Sequence, residues 1–225
     1  LGYRGYPHLQ EAIRRRLPHY PTFVERLEKD DVESESRSVL SRSFGKDRQN
    51  LARAAESIDP HAFERLVDAL LGARQTVLAG GGVARPVVLY LFSSLRMMGY
   101  DVRDTTAGST TLAQEVAALE PADLFLAIGY YRYLRETVEA LEAARALGVS
   151  TAVITDSPVS PLVALADVAL CVPVDSASHR ISLVASMAVA NALLAALTAR
   201  DHDRVAAALR RVNEQYQRAN LVIYD

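Results

Sequence analysis

Apolar positions along the 225-residue chain follow two regimes that meet near Asp59-Pro60. Before that point the pattern is helical and sparse. Leu9, Ile13 and Leu17 stand at i, i+4 and i+8, one face of a short helix that contains Arg14, Arg15 and Arg16 and ends at Pro18. Phe23, Val24 and Leu27 predict a second short helix. From Glu33 to Ile58 the residues Leu40, Phe44, Leu51, Ala55 and Ile58 draw one narrow stripe on a long helix, which Gly45 weakens by about 1 kcal/mol relative to alanine. Such a stripe needs a partner surface, either the main domain or another subunit.

After Asp59 the rhythm changes. Asp59 is a helix cap and Pro60 a first helical residue, opening a helix that carries Phe63, Leu66, Val67, Leu70 and Leu71 and that Gly72 closes. Short apolar runs then alternate with helical segments. The runs are Thr76–Ala79, Tyr100–Arg103, Leu124–Ile128, Thr151–Ile154 and Val168–Val172. They do not alternate cleanly, which is the pattern of strands covered on both faces. The helices between them are Arg85–Met98, Thr110–Leu119, Leu134–Leu147 and a brief one after Pro161, with Gly99 and Gly148 just past two of the helix ends. Parallel neighbours require crossover helices, so the sequence predicts an α/β fold: a doubly wound, five-stranded parallel sheet behind an N-terminal helical segment. Two helices follow, near Ile181–Thr198 and Asp201–Tyr216. The apolar stretch Ile181–Ala199 is long enough to span a membrane. Its alanines, and the interruptions at Ser182, Ser186, Asn191 and Thr198, predict a buried helix instead.

Composition narrows the function classes. The net charge of −2 argues against a basic nucleic-acid surface over the whole chain, though not against a local one. The single cysteine, Cys171, excludes an internal disulfide framework and any multi-cysteine metal site, and fits a reducing, cytoplasmic setting. The first twenty residues hold no apolar run that could be a signal core. The chain begins with leucine rather than methionine, so a fragment or a processed start is expected. No cofactor, metal ion or membrane partner is expected.

In a sheet of this kind ligands bind outside the carboxyl ends of the strands, where strand order reverses. Three loops lie at such ends. Gly80-Gly81-Gly82-Val83-Ala84-Arg85-Pro86 follows the first strand and opens a helix, so backbone N–H groups and a helix N-terminus can face an anion. It lacks the third glycine of a dinucleotide fingerprint and the Gly-Lys-Ser/Thr of a phosphate loop, and a plain tight turn remains an alternative. Gly129-Tyr130-Tyr131-Arg132-Tyr133-Leu134-Arg135-Glu136-Thr137 follows the third strand. It is either a solvated turn or an aromatic cup in which tyrosine gives area and arginine a fork for carboxylate or phosphate. Thr155-Asp156-Ser157-Pro158-Val159-Ser160-Pro161-Leu162 follows the fourth, and turn chemistry accounts for it: two prolines, with Asp156, Ser157 and Ser160 bonding their own backbone. The five histidines are scattered, and His179 alone is placed to approach the ligand edge. No nucleophile elbow or metal-binding helix motif is present.

Together the glycine loop leading into Arg85-Pro86, the run Arg132-Tyr133 to Arg135-Glu136-Thr137, and above all Ile154-Thr155-Asp156-Ser157-Pro158-Val159-Ser160-Pro161-Leu162 with Ala166-Asp167 resemble the sugar isomerase (SIS) domain of MurR/RpiR-type bacterial transcriptional regulators. The start, Leu1-Gly2-Tyr3-Arg4-Gly5-Tyr6-Pro7-His8-Leu9-Gln10, is similar to the end of that family's helix-turn-helix domain. The resemblance implies a helix-turn-helix remnant over residues 1–17, a helical linker over 18–58, a SIS domain over 59–200 and a C-terminal helix and tail over 201–225. It implies a regulator that binds operator DNA and senses a sugar phosphate or related metabolite, working as a homodimer or homotetramer and not as an enzyme. Arg14, Arg15 and Arg16 are candidate phosphate contacts, and a solvated basic turn explains them equally well. A phosphosugar isomerase is the alternative.

The resemblance places the ligand at Gly80, Gly81, Gly82, Ala84, Arg85, Gly129, Tyr130, Tyr131, Arg132, Tyr133, Thr137, Asp156, Ser157 and His179. It also exposes a departure. Phosphosugar-binding SIS domains surround the phosphate with loop hydroxyls, and here Ala84, Gly129, Tyr131 and Leu134 stand at those positions. Each hydrogen bond to a charged group is worth about 1.5–3 kcal/mol, so the expectation is a ligand held differently from the family's phosphate.

Overall fold

The computed structural model describes residues 36–221, together with Arg4, Gly5, Val24, Glu25 and Ile223. The readings that fall on residues 1–3, 6–23, 26–35, 222, 224 and 225, with Arg14, Arg15 and Arg16 among them, lie outside the described residues. A long helix α1 (Ser36–Ser57) leads into α2 (Pro60–Gly72). Then come β1 (Thr76–Ala79), α3 (Arg85–Met97), β2 (Val102–Asp104), α4 (Ser109–Ala117), β3 (Leu124–Gly129), α5 (Arg135–Ala146), β4 (Ser150–Thr155), β5 (Val168–Cys171), α6 (Val184–Arg200) and α7 (His202–Arg218). Single 3-10 turns sit at Gly82–Ala84 and Val163–Leu165; the second replaces the brief helix expected after Pro161.

The five strands are all parallel and lie in the order β2-β1-β3-β4-β5. Successive side chains on each strand point to opposite faces, and both faces are covered. Leu78, Leu126 and Ile154 face a core shared with α2, α3 and α6, while Val77, Phe125 and Val153 face one shared with α4 and α5. Near-continuous apolar runs are what such strands require. The α6 helix that its length alone would have let cross a membrane buries Ala185, Val189, Leu193 and Leu197 in the first core. Among the described residues no helix is long and apolar enough to span a bilayer.

The local signals act at their expected places, with three differences. Asp59 caps α2 by accepting from the N–H groups of His61 and Ala62 at 3.0 and 3.2 Å. Gly99 and Gly148 take φ of +86° and +75° past the ends of α3 and α5. Gly72 does not do so; it is the last residue of α2, and the Ala73 N–H closes on the Ala69 carbonyl at 3.0 Å. Strand β2 begins two residues later than expected, because Tyr100 still belongs to the turn and gives its N–H to the Leu95 carbonyl. The stripe on α1 is the third difference. The helix docks through Asp47, Asn50 and Ala54, whereas Leu40, Phe44 and Leu51 are left exposed, Phe44 by 67%.

The sheet leaves no room at the end of β1. A Cβ on Gly80 would lie 2.5 Å from the Ile128 carbonyl oxygen on β3, and φ there is +159°. Nothing lies within 4 Å of a Cβ built on Gly72. Gly80→Ala is therefore expected to cost at least about 2 kcal/mol in urea unfolding, by parting β1 from β3 or straining the turn. Gly72→Ala is expected to be neutral or stabilising by up to about 1 kcal/mol. Equal effects from the two would contradict the packing described.

Candidate functional site

Order reverses between β1 and β3: from β1 the chain crosses to β2 on one side, and from β3 to β4 on the other. The loops that leave these two strands consequently diverge and a cleft opens between them. It has a volume of about 330 Å³. One wall is the glycine turn. Gly81 precedes the 3-10 turn in extended backbone, Gly82 has φ of +57°, and the Ala84 N–H returns to the Gly81 carbonyl at 3.1 Å. The other wall is the β3 exit and the first turn of α5.

That second loop is tied down by the third. The Asp156 carboxylate accepts the Tyr131 backbone N–H at 3.2 Å and the Tyr133 hydroxyl at 2.7 Å. Arg132, between them, is driven to φ of +68°, a conformation uncommon for a residue with a side chain. Within its own loop Asp156 accepts the Thr155 hydroxyl at 3.4 Å, and its backbone partner is the Tyr131 N–H rather than the backbone of its own turn. Ser157 and Ser160 do bond their own turn, accepting from the N–H groups of Val159 and Leu162 at 3.3 Å each.

Of the residues singled out from the sequence, Gly81, Gly82, Gly129, Tyr130, Tyr131, Arg132 and Thr137 line the cleft. Gly80 lies beneath it, and Tyr133 and Asp156 brace its wall. Ala84 is buried in the core and does not line the cleft. Arg85, Ser157 and His179 are outside the lining. The sequence reading missed Val83, Ile128, Leu134 and Arg180, which do line it. Val83 and Leu134 lie inside segments already singled out, but Arg180, next to the chosen His179, had no signal of its own.

The cleft is apolar at its base and cationic at its rim. Tyr130 is 3% exposed, and among the described residues neither its hydroxyl nor the buried Ser186 hydroxyl has a hydrogen-bond partner. Burial pushes the Tyr130 phenol far above its ordinary range. Ser186 beside it pulls the other way, although the two hydroxyls do not reach hydrogen-bond geometry, and Asp156 pushes it further up. The phenol is therefore a neutral donor at any physiological pH. A second hollow of about 390 Å³ lies on the other side of Asp156, under α1, and reaches Cys171. Among the described residues no group of three or more histidine, cysteine or carboxylate side chains could hold a metal ion.

The sheet order, the glycine turn and the Asp156 brace set the terms for comparison with known proteins. Residues 69–199, more than half of the chain, match the SIS domain model. The chain belongs to the SIS domain family. The SIS domain of an RpiR transcription factor from Sphaerobacter thermophilus is 34% identical and superposes with a TM-score of 0.77, covering 79% of this chain and 99% of that one. The transcriptional regulator HexR of Pseudomonas aeruginosa is 27% identical over 176 residues, which is 77% of this chain but only 59% of HexR. A 3-hexulose-6-phosphate isomerase of Mycobacterium gastri is 27% identical over 136 residues, 59% of this chain and 65% of that enzyme. The SIS fold is thus shared with regulators and with isomerases. The likeness at the highest of these identities is to an RpiR-type regulator.

The second hollow gives a test of the electrostatics around the SIS site. Burial, with the Asp156 charge adding to it, pushes the Cys171 thiol up to about 11. At pH 8 only about one molecule in a thousand then carries the thiolate, and alkylation by iodoacetamide should be slow and still rising at pH 10. Asp156→Asn should speed it at pH 9, because a negative charge that opposes the thiolate is gone. A rate that levels off by pH 9 in the unaltered protein would contradict this.

Proposed function

We propose that this chain is the sensing part of a DNA-binding transcriptional regulator, in which the SIS domain reads a sugar phosphate or related small metabolite at the β1/β3 cleft. One observation carries the preference for sensing over turnover. The residues lining the cleft supply guanidinium groups, hydroxyls and apolar surface, and the carboxylates beside it, Asp156 and Glu136, are already engaged, by the Tyr131 N–H and Tyr133 hydroxyl and by the Ser109 hydroxyl. Aldose–ketose isomerisation needs a group that can take a proton from carbon and return it. Arginine stays protonated and buried Tyr130 stays neutral, so neither can do so here. The likeness to the RpiR-type SIS domain supports the same reading.

In this reading residues 1–17 close a helix-turn-helix module that contacts operator DNA, with Arg14, Arg15 and Arg16 toward phosphate. Residues 18–58 link it to the sensor at 59–200, and 201–225 complete the body. The regulator works in the cytoplasm as a homodimer or homotetramer. Its ligand must bind the DNA-competent and DNA-incompetent arrangements with different affinity, since equal affinity would shift nothing.

The test uses the full-length regulator and the DNA upstream of its own coding sequence, in a mobility-shift titration with a panel of sugar phosphates. Arg132→Ala should move the effector dose curve by roughly tenfold while leaving the circular dichroism unchanged. An unchanged dose curve would remove Arg132 from the site. Steady conversion of any aldose phosphate to its ketose by the purified chain would overturn the non-enzymatic reading.

A further inference from the structure

One cation at the rim stands on a segment that also holds α1. From 172 to 183 the chain runs without regular structure between β5 and α6. At one end of this strap Arg180 lines the cleft. Its backbone N–H is held by the Ser178 hydroxyl at 3.2 Å, and its guanidinium has no carboxylate partner among the described residues. On both sides of Arg180, three side chains of α1 grip the strap. The Ser182 hydroxyl donates to Asp47 at 2.6 Å, the Asn50 amide donates to the Asp175 carbonyl at 2.6 Å, and Arg53 pairs with the Asp175 carboxylate. The strap is pinned across itself by the Ser182 N–H on the Val174 carbonyl at 3.0 Å. Asn50 is wholly buried, its amide oxygen has no partner among the described residues, and the contact its amide nitrogen makes is to the strap, so a costly polar group is kept there.

Thr137 and the β3 exit line the same cleft as Arg180. Thr137 is only 4% exposed and lines the cleft, and its hydroxyl makes no hydrogen bond to a described residue. The Tyr131 N–H, which an anion at the β3 exit would use, already meets the chain's own Asp156. A ligand carboxylate or phosphate placed at that exit would approach the Asp156 charge. At the rim it would meet a guanidinium fork suited to either group.

We propose that Arg180 takes the acidic group of a sugar-derived anion bound in the cleft, with the Thr137 hydroxyl on the same ligand, and that the strap passes occupancy on to α1. This rests on the reading of the cleft as a receptor for a small metabolite. A ligand that draws Arg180 inward pulls a segment anchored two residues on at Asp47 and five residues back at Asn50 and Arg53. The helix that leads toward the N-terminal module then has two positions, which the ligand weights differently.

The experiment is calorimetry on the purified chain with pentose, hexose and heptose phosphates, the corresponding aldonates and the uncharged sugars, paired with hydrogen exchange over residues 36–57. At least one phosphate or aldonate is expected to bind more tightly than its uncharged counterpart, and which of the two binds identifies the acidic group. Arg180→Gln should weaken that anion by roughly tenfold or more and leave the uncharged sugar unchanged. Asp47→Ala should keep the affinity within about threefold but abolish the ligand-induced change in exchange over 36–57. Anion binding that Arg180→Gln leaves intact overturns the proposal while the cleft reading stands. A full exchange response in Asp47→Ala overturns the coupling. Binding by no member of the panel overturns the cleft reading and this proposal with it.

Discussion

Strands β1 and β3 are neighbours, and the chain leaves them in opposite directions. That one constraint shapes the rest of the molecule. Parallel strands cannot be joined by tight turns, so each crossover must go over a face of the sheet, and the face it takes decides where the exit loop points. Between β1 and β3 the two exits part, and a cleft opens there. Packing at the base of the cleft is correspondingly tight. Gly80 sits against the Ile128 carbonyl, and Gly129 leaves room for Leu162, whose Cδ1 lies only 2.6 Å from where a Cβ would stand.

What the cleft can hold follows from how its charges are already spent. Asp156 reaches across from the β4 exit and occupies the loop after β3 from inside the protein. Glu136, in the first turn of α5, takes the Ser109 hydroxyl and answers the positive end of that helix. A loop and helix start that could face an external anion are thus met by two carboxylates of the chain itself. The cationic character of the site comes instead from guanidinium groups at the rim. The apolar base, with Tyr130, Ile128 and Val83, gives a surface for the body of a small ligand.

Much of this was legible in the sequence, for identifiable reasons. The five apolar runs read as strands because a sheet buried on both faces tolerates few polar positions. The caps at Asp59, Gly99 and Gly148 act through nearest neighbours. The loops at β1 and β3 could be placed at the ligand edge because topology, not side-chain detail, puts them there. The misses are equally physical. Arg180 lies on a strap with no periodicity, and its place at the cleft depends on contacts with α1 far away in the chain. Asp156 reads as turn chemistry because its partners, Tyr131 and Tyr133, are brought to it only by the β3–β4 pairing. Ala84 looks like a ligand position by its place in the loop, and only the 3-10 turn shows that it is buried in the core. The α1 stripe reads as a docking face, yet the helix is held by polar residues on the neighbouring side.

The central claim is that small metabolites are read at the β1/β3 cleft. Amide chemical-shift mapping of the labelled chain during titration with sugar phosphates and sugar acids tests it most directly. The account predicts that the shifts cluster at Gly81, Gly82, Gly129 to Arg132 and Thr137. Shifts gathered instead around Ser57, Leu170, Cys171 and Val172, in the hollow beyond Asp156, would contradict it.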